Sequence, residues 1–583
     1  MAVVTKTRIA QARHGERGDD RSPLEIPYAV RWLVPKGERF ANFPLLNDND
    51  TQLDFYRRFG HIYAVGIPTK KWRIVVVSDP ELLDEVAGNE EQFGKRVEEI
   101  NFFAQLQNSR GGGISVIGDG EHYERVRRVM LPWYSPQHQR TQLVRMKEQA
   151  RKLVAAWSTL ADDEPIDARG WMERYTLEVS GRGACSYDFG LLEGDTCPHL
   201  FAQAVPESTK ESILRVADPR PDAAWWGRKQ RRYRRLNKEL FRTADSLVRA
   251  RLHTKPLGDQ TDLLSRLVSV PDPETGELLD HETIRDQVLM HLSNGFNGPS
   301  ITGAWLAYVL ATNPEVETKL VAEIDEISGG DPEYDLQYDD LMKMSYTTQV
   351  IKETMRVYPP MPVTVRRSLK NGMLGRYRIR KGDIIFVGTL AAQRDPRYWG
   401  PAPDVFDPEH FAPEKVVNRP RHAFIPFSIG KRQCMAQEVT FMMLRVVLFE
   451  IYNRYRLRMA PGATVTKNTV VTTKPAAVPI VRLPRERREI VSLRDTPPAV
   501  RAATVSARDW GEPTEIPETS AFGRLVIAYG SNFGANRQLA ERFAERSRFY
   551  GYAHELLTLN ELAAAPPWDE PWLLVAMTST YTS

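Results

Sequence analysis

The chain has 583 residues, 42% hydrophobic and 26% charged, which is enough apolar material for a large core and predicts more than one domain. A formal net charge of +4 gives no reason to expect nucleic acid as a partner, and the three cysteines, Cys185, Cys197 and Cys434, form neither a disulfide framework nor a zinc spacing. That usage suits a reducing cytoplasm, and the polar, charged N-terminus carries neither a signal-peptide core nor a membrane anchor.

In chain order, residues 1–24 read as a polar tail and a strand pair is predicted near Ile62 to Ser78. Tyr123-Glu-Arg-Val-Arg127 lies in a basic helical stretch whose simplest alternative is a solvated face. A long helical region, about 137 to 355, is broken at Pro and Gly; it includes the apolar stretch from Gln287 to Asn313, interrupted by Pro299. Near its end Glu353-Thr-Met-Arg356 sets an acid and a base on one helix face, an arrangement that by itself is most often a surface salt bridge. Val-Tyr-Pro359-Pro360-Met-Pro362 then stops the helix, and Arg366 follows. A mixed strand and loop region, roughly 362 to 433, holds Phe406-Asp-Pro408-Glu-His410-Phe411 and His422. A helix from about 436 to 455 and a hairpin-like region to Leu483 complete this part.

The most informative stretch is Phe427-Ser-Ile-Gly430-Lys-Arg432-Gln-Cys434-Met-Ala436. A thiolate on a haem iron pushes electron density through the metal and favours O–O cleavage, and its neighbours must permit that ligation. Glycine allows a tight turn, so that backbone N–H groups can temper the sulfur's charge. Arg432 can reach a propionate, Phe427 can shield the sulfur, and Ala436 lets the following helix approach the ring face. The alternative is a buried structural cysteine.

Together these motifs resemble the cytochrome P-450 family, over residues 25–483. The resemblance implies a mainly α fold with small β-sheets and a haem b whose iron is held by Cys434. It places Phe427, Gly430, Arg432, Ala436, Tyr123, Arg127, Arg366 and His422 at the haem, with Tyr123 where the family often has tryptophan. It makes Glu353, Arg356 and His410 a structural network, with His410 in the place of the family's arginine. In the distal helix the family's acid–threonine pair falls on Asn297 and Gly298, which offer neither a carboxylic proton nor a hydroxyl; Ser300 and Thr302 are the nearby hydroxyls. Gly295-x-x-Gly298-Pro299 resembles prostacyclin synthase, a peroxide-rearranging relative.

Residues 484–520 change to charge, Pro, Thr and Ala without periodicity and read as a linker. In residues 521–583, Arg524 to Tyr529 is a β-type run, Gly530-Ser531-Asn532-Phe533-Gly534-Ala535-Asn536 a polar turn, and Arg537 to Arg548 helical; Trp572 to Met577 reads as a later strand. Alone this is a generic βα loop. After a haem domain and a linker it resembles a partial α/β, flavodoxin-like FMN module of self-sufficient cytochrome P-450–reductase fusions of the fatty-acid hydroxylase type, with Ser531, Asn532, Phe533, Gly534, Ala535 and Asn536 at the FMN phosphate. A module ending at Ser583 is not expected to hold FMN stably, and FAD and NADPH belong to a missing module or a separate reductase. The resemblance implies a monooxygenase acting on a small apolar substrate with dioxygen. The distal-helix departure keeps a peroxide isomerase, dehydratase or peroxygenase open, and the interrupted reductase a non-catalytic haem sensor. In fatty-acid hydroxylases of this type an arginine and a tyrosine hold the substrate carboxylate; their places fall on Trp72 and Val76, with Lys70, Lys71 and Arg73 as possible substitutes.

Overall fold

A computed structural model describes residues 24–30, 49–66, 73–95, 107, 110–193, 200–216, 227–253, 262–468, 472–485, 524–530, 553–558 and 572–578. The expected strand pair is present as β2 (Ile62–Gly66) and β3 (Arg73–Val77), antiparallel with Tyr63 opposite Val76. They lie in a six-stranded sheet with β1 (Tyr28–Val30), β4 (Phe93–Gly94), β5 (Thr364–Ser368) and β6 (Ile384–Val387), in the order β1-β2-β3-β6-β5-β4. The central strands are buried on both faces, and their side chains alternate between two clusters. Ile62, Ala64, Val75, Val77, Ile385 and Val387 go to one, Tyr63, Val65, Ile74, Val76, Ile384 and Phe386 to the other.

Arg73, at the start of β3, turns inward and is clamped by Asp383: its Nε lies 3.2 Å from both carboxylate oxygens, and its Nη2 donates to the carbonyl of Arg378 at 2.9 Å. It therefore serves the sheet and is not available as a substrate anchor. Val76 is core, and Lys70, Lys71 and Trp72 lie outside the described residues.

The expected helical region resolves into separate helices with a two-residue strand, Ile166–Asp167, between them. Six helices matter for the site: α1 (Glu121–Met130), α2 (Pro136–Ser158), α3 (Ala168–Cys185), α4 (His281–Thr312), α5 (Ser345–Val357) and α6 (Gln437–Tyr452). α2, α3, α4 and α6 pack on one another and carry the main core. α6 is mainly apolar and buried from Val439 to Tyr452, as a central helix must be, with its buried Arg445 and Glu450 both hydrogen-bonded. After it the chain enters Tyr455–Met459, antiparallel to Pro479–Pro484, the hairpin-like pairing read from the sequence. The stacked rings of Trp305 and Tyr358, 4.0 Å apart, tie α4 to the end of α5.

Near the C-terminus, Arg524–Gly530, Ala553–Thr558 and Trp572–Thr578 form a parallel sheet with the first of the three in the middle. Residues 1–23, 486–520 and 531–552 lie outside the described residues, so the tail, nearly all of the linker, the turn from Ser531 to Asn536 and the helical stretch from Arg537 to Arg548 are not placed; Cys197 is likewise outside. No helix among the described residues is long and apolar enough to cross a membrane.

Candidate active site

The turn before Cys434 depends on two residues in the left-handed region, Ser428 (φ 67°) and Gly430 (φ 63°). A Cβ on Gly430 would come 2.8 Å from the carbonyl oxygen of Ala87, so glycine is required both by conformation and by the close approach of the Pro80–Gly88 helix. The amide of Cys434 donates to the carbonyl of Phe427 at 2.9 Å and closes the loop. Phe427 packs toward α6, its ring 5.7 Å from that of Phe441, and Ala436 is the N-cap of α6. The Cys434 side chain is accessible, yet deep burial pushes its thiol up while the backbone N–H of Ala436 draws it down. The sulfur is thus reachable although protein surrounds it closely.

α4 has an accessible stretch as well. Between Asp286 and Ala307 its open positions are His291, Asn294, Gly295, Asn297 and Gly298, with every other residue buried. Those positions recur at the spacing of one helix face. Tyr134, whose hydroxyl lies 3.2 Å from Nδ1 of His291, has its phenol pushed up by burial and then by the charge of Cys434, which links this part of α4 to the cysteine loop. A Cβ on Gly298 would meet nothing within 4 Å. Ser300 is buried and its hydroxyl donates to the carbonyl of Asn297 at 3.1 Å, while that of Thr302 donates to Gly298 at 3.3 Å. Both are turned back onto their own helix, as short hydroxyl side chains in helices often are.

Cations converge near the cysteine loop. Arg366, fully buried on β5, is pushed down to about 10 by burial and by Arg432; it donates to the carbonyl of Ile429 at 2.9 Å. Lys95, directly after β4, is held well below the usual lysine range by burial, then by Arg432 and Arg366, with Asp119 opposing. Arg432 pairs with Asp119 and lies 3.4 Å over the ring of Tyr123. The Tyr123 hydroxyl donates to the carbonyl of Lys431 at 3.0 Å, an acceptor that the loop brings beside it. Arg127 has a buried Nε with no hydrogen-bond partner. A cluster whose members depress one another's proton affinity, and one of whose guanidinium nitrogens is orphaned, fits two additional carboxylates, as porphyrin propionates would supply. With the accessible, enclosed thiol, the donor set fits a haem. His422 is paired through Nδ1 with Asp84.

The network around α5 is complete. Arg356 meets Glu353 with two bonds of 2.7 Å and also donates to the carbonyls of Gln393, Pro403 and Val405. Glu353 accepts in addition from the amide of Asp407 at 2.8 Å and lies 3.1 Å from Nδ1 of His410. Burial works against the Glu353 carboxylate, and its bonds to Arg356 and His410 still hold it below the usual range.

The loop after Arg110 was not singled out in the sequence, although it joins the two sides of the site. The Gly112 amide donates to Asp286 at 2.6 Å, the Ile114 amide to Gln287 at 2.8 Å, and the Asn294 amide group to Ser115 at 3.1 Å. On its other side, the Ile114 carbonyl accepts from Arg432 at 3.4 Å and the Ser115 carbonyl from Lys95. The runs around Lys95, Tyr134 and His291 carry no motif that would have marked these residues; their role is visible only once distant segments meet.

The profile of one family, described as Cytochrome P450, matches residues 37–478. A bifunctional cytochrome P450/NADPH–P450 reductase of Bacillus cereus is 28% identical over 553 residues, covering 93% of this chain and 50% of that protein. A self-sufficient cytochrome P450 monooxygenase of Phanerodontia chrysosporium is 27% identical over 524 residues, 89% of this chain and 48% of the other. Cyclooctat-9-en-7-ol 5-monooxygenase of Streptomyces melanosporofaciens is 27% identical over 417 residues, 71% of this chain and 86% of that enzyme. The chain thus spans about half the length of the two fusion proteins it matches.

Proposed function

Because the chain belongs to the cytochrome P450 family, we propose that it is a haem-thiolate monooxygenase that inserts one oxygen atom of dioxygen into a small apolar substrate, with electrons from NADPH arriving through a flavoprotein reductase. The observation that carries this reading is the accessible Cys434 sulfur, on a loop closed by its own amide and the Phe427 carbonyl and set beside the cations Lys95, Arg366 and Arg432. Haem b, when bound, supplies the redox chemistry, and sulfur ligation favours O–O cleavage.

The residues of the chain have distinct tasks in this reading. Cys434 holds the iron, the Ala436 amide tempers the sulfur, and Phe427 shields it. Lys95, Arg127, Arg366 and Arg432 receive the propionates. Glu353, Arg356 and His410 fix the segment that leads into the cysteine loop, and the Asn297–Gly298 face of α4 leaves room for substrate and oxidant. His422, paired with Asp84, would be a further haem contact. The haem domain spans residues 25–483 and a linker follows to 520. In residues 521–583 the middle placement of the first strand is the order with which a flavodoxin-like sheet begins. That supports the assignment of the turn from Ser531 to Asn536 to FMN phosphate. The protein acts in the cytoplasm.

A second reading, rearrangement or use of a peroxide, draws on Gly298 and on the hydroxyls of Ser300 and Thr302 being turned onto helix carbonyls. One experiment separates the two. The haem-loaded chain receives organic hydroperoxides alone or, separately, dioxygen with NADPH and an external reductase, across a panel of apolar compounds. Reductase-dependent oxygenation supports the first reading. Fast hydroperoxide isomerisation without an electron donor, and no reductase-dependent product, supports the second. The carbon monoxide spectrum of the reduced Cys434→Ala variant should lose its thiolate signature in either case.

A further inference from the structure

Beside the open face of α4 lies a set of polar groups that the reading above does not use. The ring of His291 is fixed edge-on against Trp133, centroids 5.3 Å apart at 87°. Its Nδ1 lies 3.2 Å from the Tyr134 hydroxyl. Burial pushes the imidazole down to about 4, so it is neutral at ordinary pH and carries one ring proton; in the tautomer in which the tyrosine donates to Nδ1, that proton is on Nε2. That Nε2 lies 3.7 Å from the point a Cβ on Gly295 would occupy, and Oγ of Ser180, on α3, lies 2.7 Å from the same point. Ser180 is 3% exposed and its Oγ has no hydrogen-bond partner. Four residues beyond Gly295 stands Pro299, which has no N–H to return to the Gly295 carbonyl. One small region thus gathers a donor, a hydroxyl that can donate or accept, and a carbonyl acceptor, the number of partners a buried water ordinarily has.

We propose that Ser180, His291 and the Gly295 carbonyl hold a buried water, and that the path Tyr134–His291–water–Ser180 conducts protons along the break in α4, where the family's acid–threonine pair is replaced by Asn297 and Gly298. The proposal rests on the monooxygenase reading. In each transfer the phenolic proton passes to Nδ1 as Nε2 gives its own to the water, which hands one on through Ser180 toward the open face; the cycle closes when the phenolate takes a proton from solvent and the neutral ring returns its proton from Nδ1 to Nε2 by exchange through water. No electrons travel along this path. They come from NADPH through the reductase. Complete reduction of dioxygen to water takes twice as many electrons and protons as its release as hydrogen peroxide, so a starved proton supply is read as a larger peroxide share.

The test uses the full haem-loaded chain. A crystal structure should show a water within hydrogen-bonding distance of Ser180 Oγ and His291 Nε2. With dioxygen, NADPH and an external flavoprotein reductase, and no added substrate, His291→Phe and Ser180→Ala should each slow water formation by about tenfold or more relative to peroxide release, on the scale of a lost proton-transfer group. His291→Gln, which still donates and accepts, should recover a large part of the loss, as a merely structural role would not allow. Ser180→Ala removes a single oxygen atom and keeps the helix packing. A dry site, or an unchanged peroxide share in both variants while oxygen uptake continues, overturns the proposal. If the water is present but the parent chain takes up no oxygen from the reductase, the monooxygenase reading falls and the relay with it, while the water site stands.

Discussion

The guanidinium of Arg419 lies 3.8 Å over the ring of Trp399, and that of Arg356 lies 5.0 Å from the centroid of the same ring. Arg419 also donates to the carbonyl of His410 at 2.8 Å and to that of Tyr398 at 3.2 Å. Where the resemblance places an arginine, at His410, this chain has an imidazole on Glu353, and a second cation reaches the same neighbourhood from nine residues downstream.

That arrangement makes the two arginines unequal. Arg356→Leu leaves the buried Glu353 carboxylate with only His410 and the Asp407 amide beside it and should cost about 3–5 kcal/mol of stability. Arg419→Leu loses a cation–π contact and two hydrogen bonds from a charged group but strands no buried charge, and should cost about 1–3 kcal/mol. Urea denaturation of the haem-loaded variants checks the order; equal losses would show that Arg419 carries more of the network than its contacts imply.

Gly430→Ala meets two obstacles at once, a left-handed backbone and the Ala87 carbonyl oxygen 2.8 Å from the new carbon. The left-handed conformation alone costs about 1–2 kcal/mol. The cysteine loop should shift, and the reduced carbon monoxide complex should lose most of its thiolate form although the fold survives by circular dichroism.

Three glycines of α4 should respond differently to alanine. Gly298 has open space around it, so Gly298→Ala should stabilise by up to about 1 kcal/mol through helix propensity. A Cβ at Gly303 would press on the Met172 sulfur at 2.9 Å and one at Gly295 on Ser180 Oγ at 2.7 Å, so those variants should destabilise. The same space admits Gly298→Thr with Asn297→Glu. In a monooxygenase this pair should raise the yield of product per NADPH; in a peroxide-rearranging enzyme it should leave turnover unchanged or lower it.

His291 should make stability fall on mild acidification. Its folded-state value is pushed down to about 4 from an ordinary 6.5, so the unfolded chain takes up the proton first. The contribution is intact above about pH 6.5 and is lost as pH falls toward 4, to a limit of about 3 kcal/mol. His291→Phe should flatten the profile of stability against pH in that window; a slope equal to the parent's would show that the ring is not held neutral by its surroundings.

The parts of this molecule that were legible in the sequence are those whose partners lie close along the chain. Phe427 to Ala436 is one loop, and Glu353 and Arg356 share one helix face. The strand pair β2–β3 follows from two short apolar, β-branched runs, and α6 from a long, mainly apolar one. Lys95 and Asp119, by contrast, acquire meaning only when β4 and the start of α1 come up against Arg432, hundreds of residues away in the chain. Arg73 looked available for a substrate because basic residues crowd its neighbourhood in sequence; the partner that claims it, Asp383, sits at the entrance to β6. Ser180 and His291 are ordinary residues in helical runs, and only the packing of α3 on α4 places them at one point.

The loop from Gly112 to Ser115 is held by Asp286, Gln287 and Asn294 on one side and by Arg432 and Lys95 on the other. It therefore joins α4 by hydrogen bonds to the cationic cluster around Lys95 and Arg432. A ligand that binds more tightly to one position of this loop than to another changes the free energy of the Arg432 cluster by that same difference, and reciprocity requires that a perturbation at Arg432 alter ligand affinity by an equal factor. Wherever the loop moves in this way, occupancy on one side of it and charge on the other share a single equilibrium.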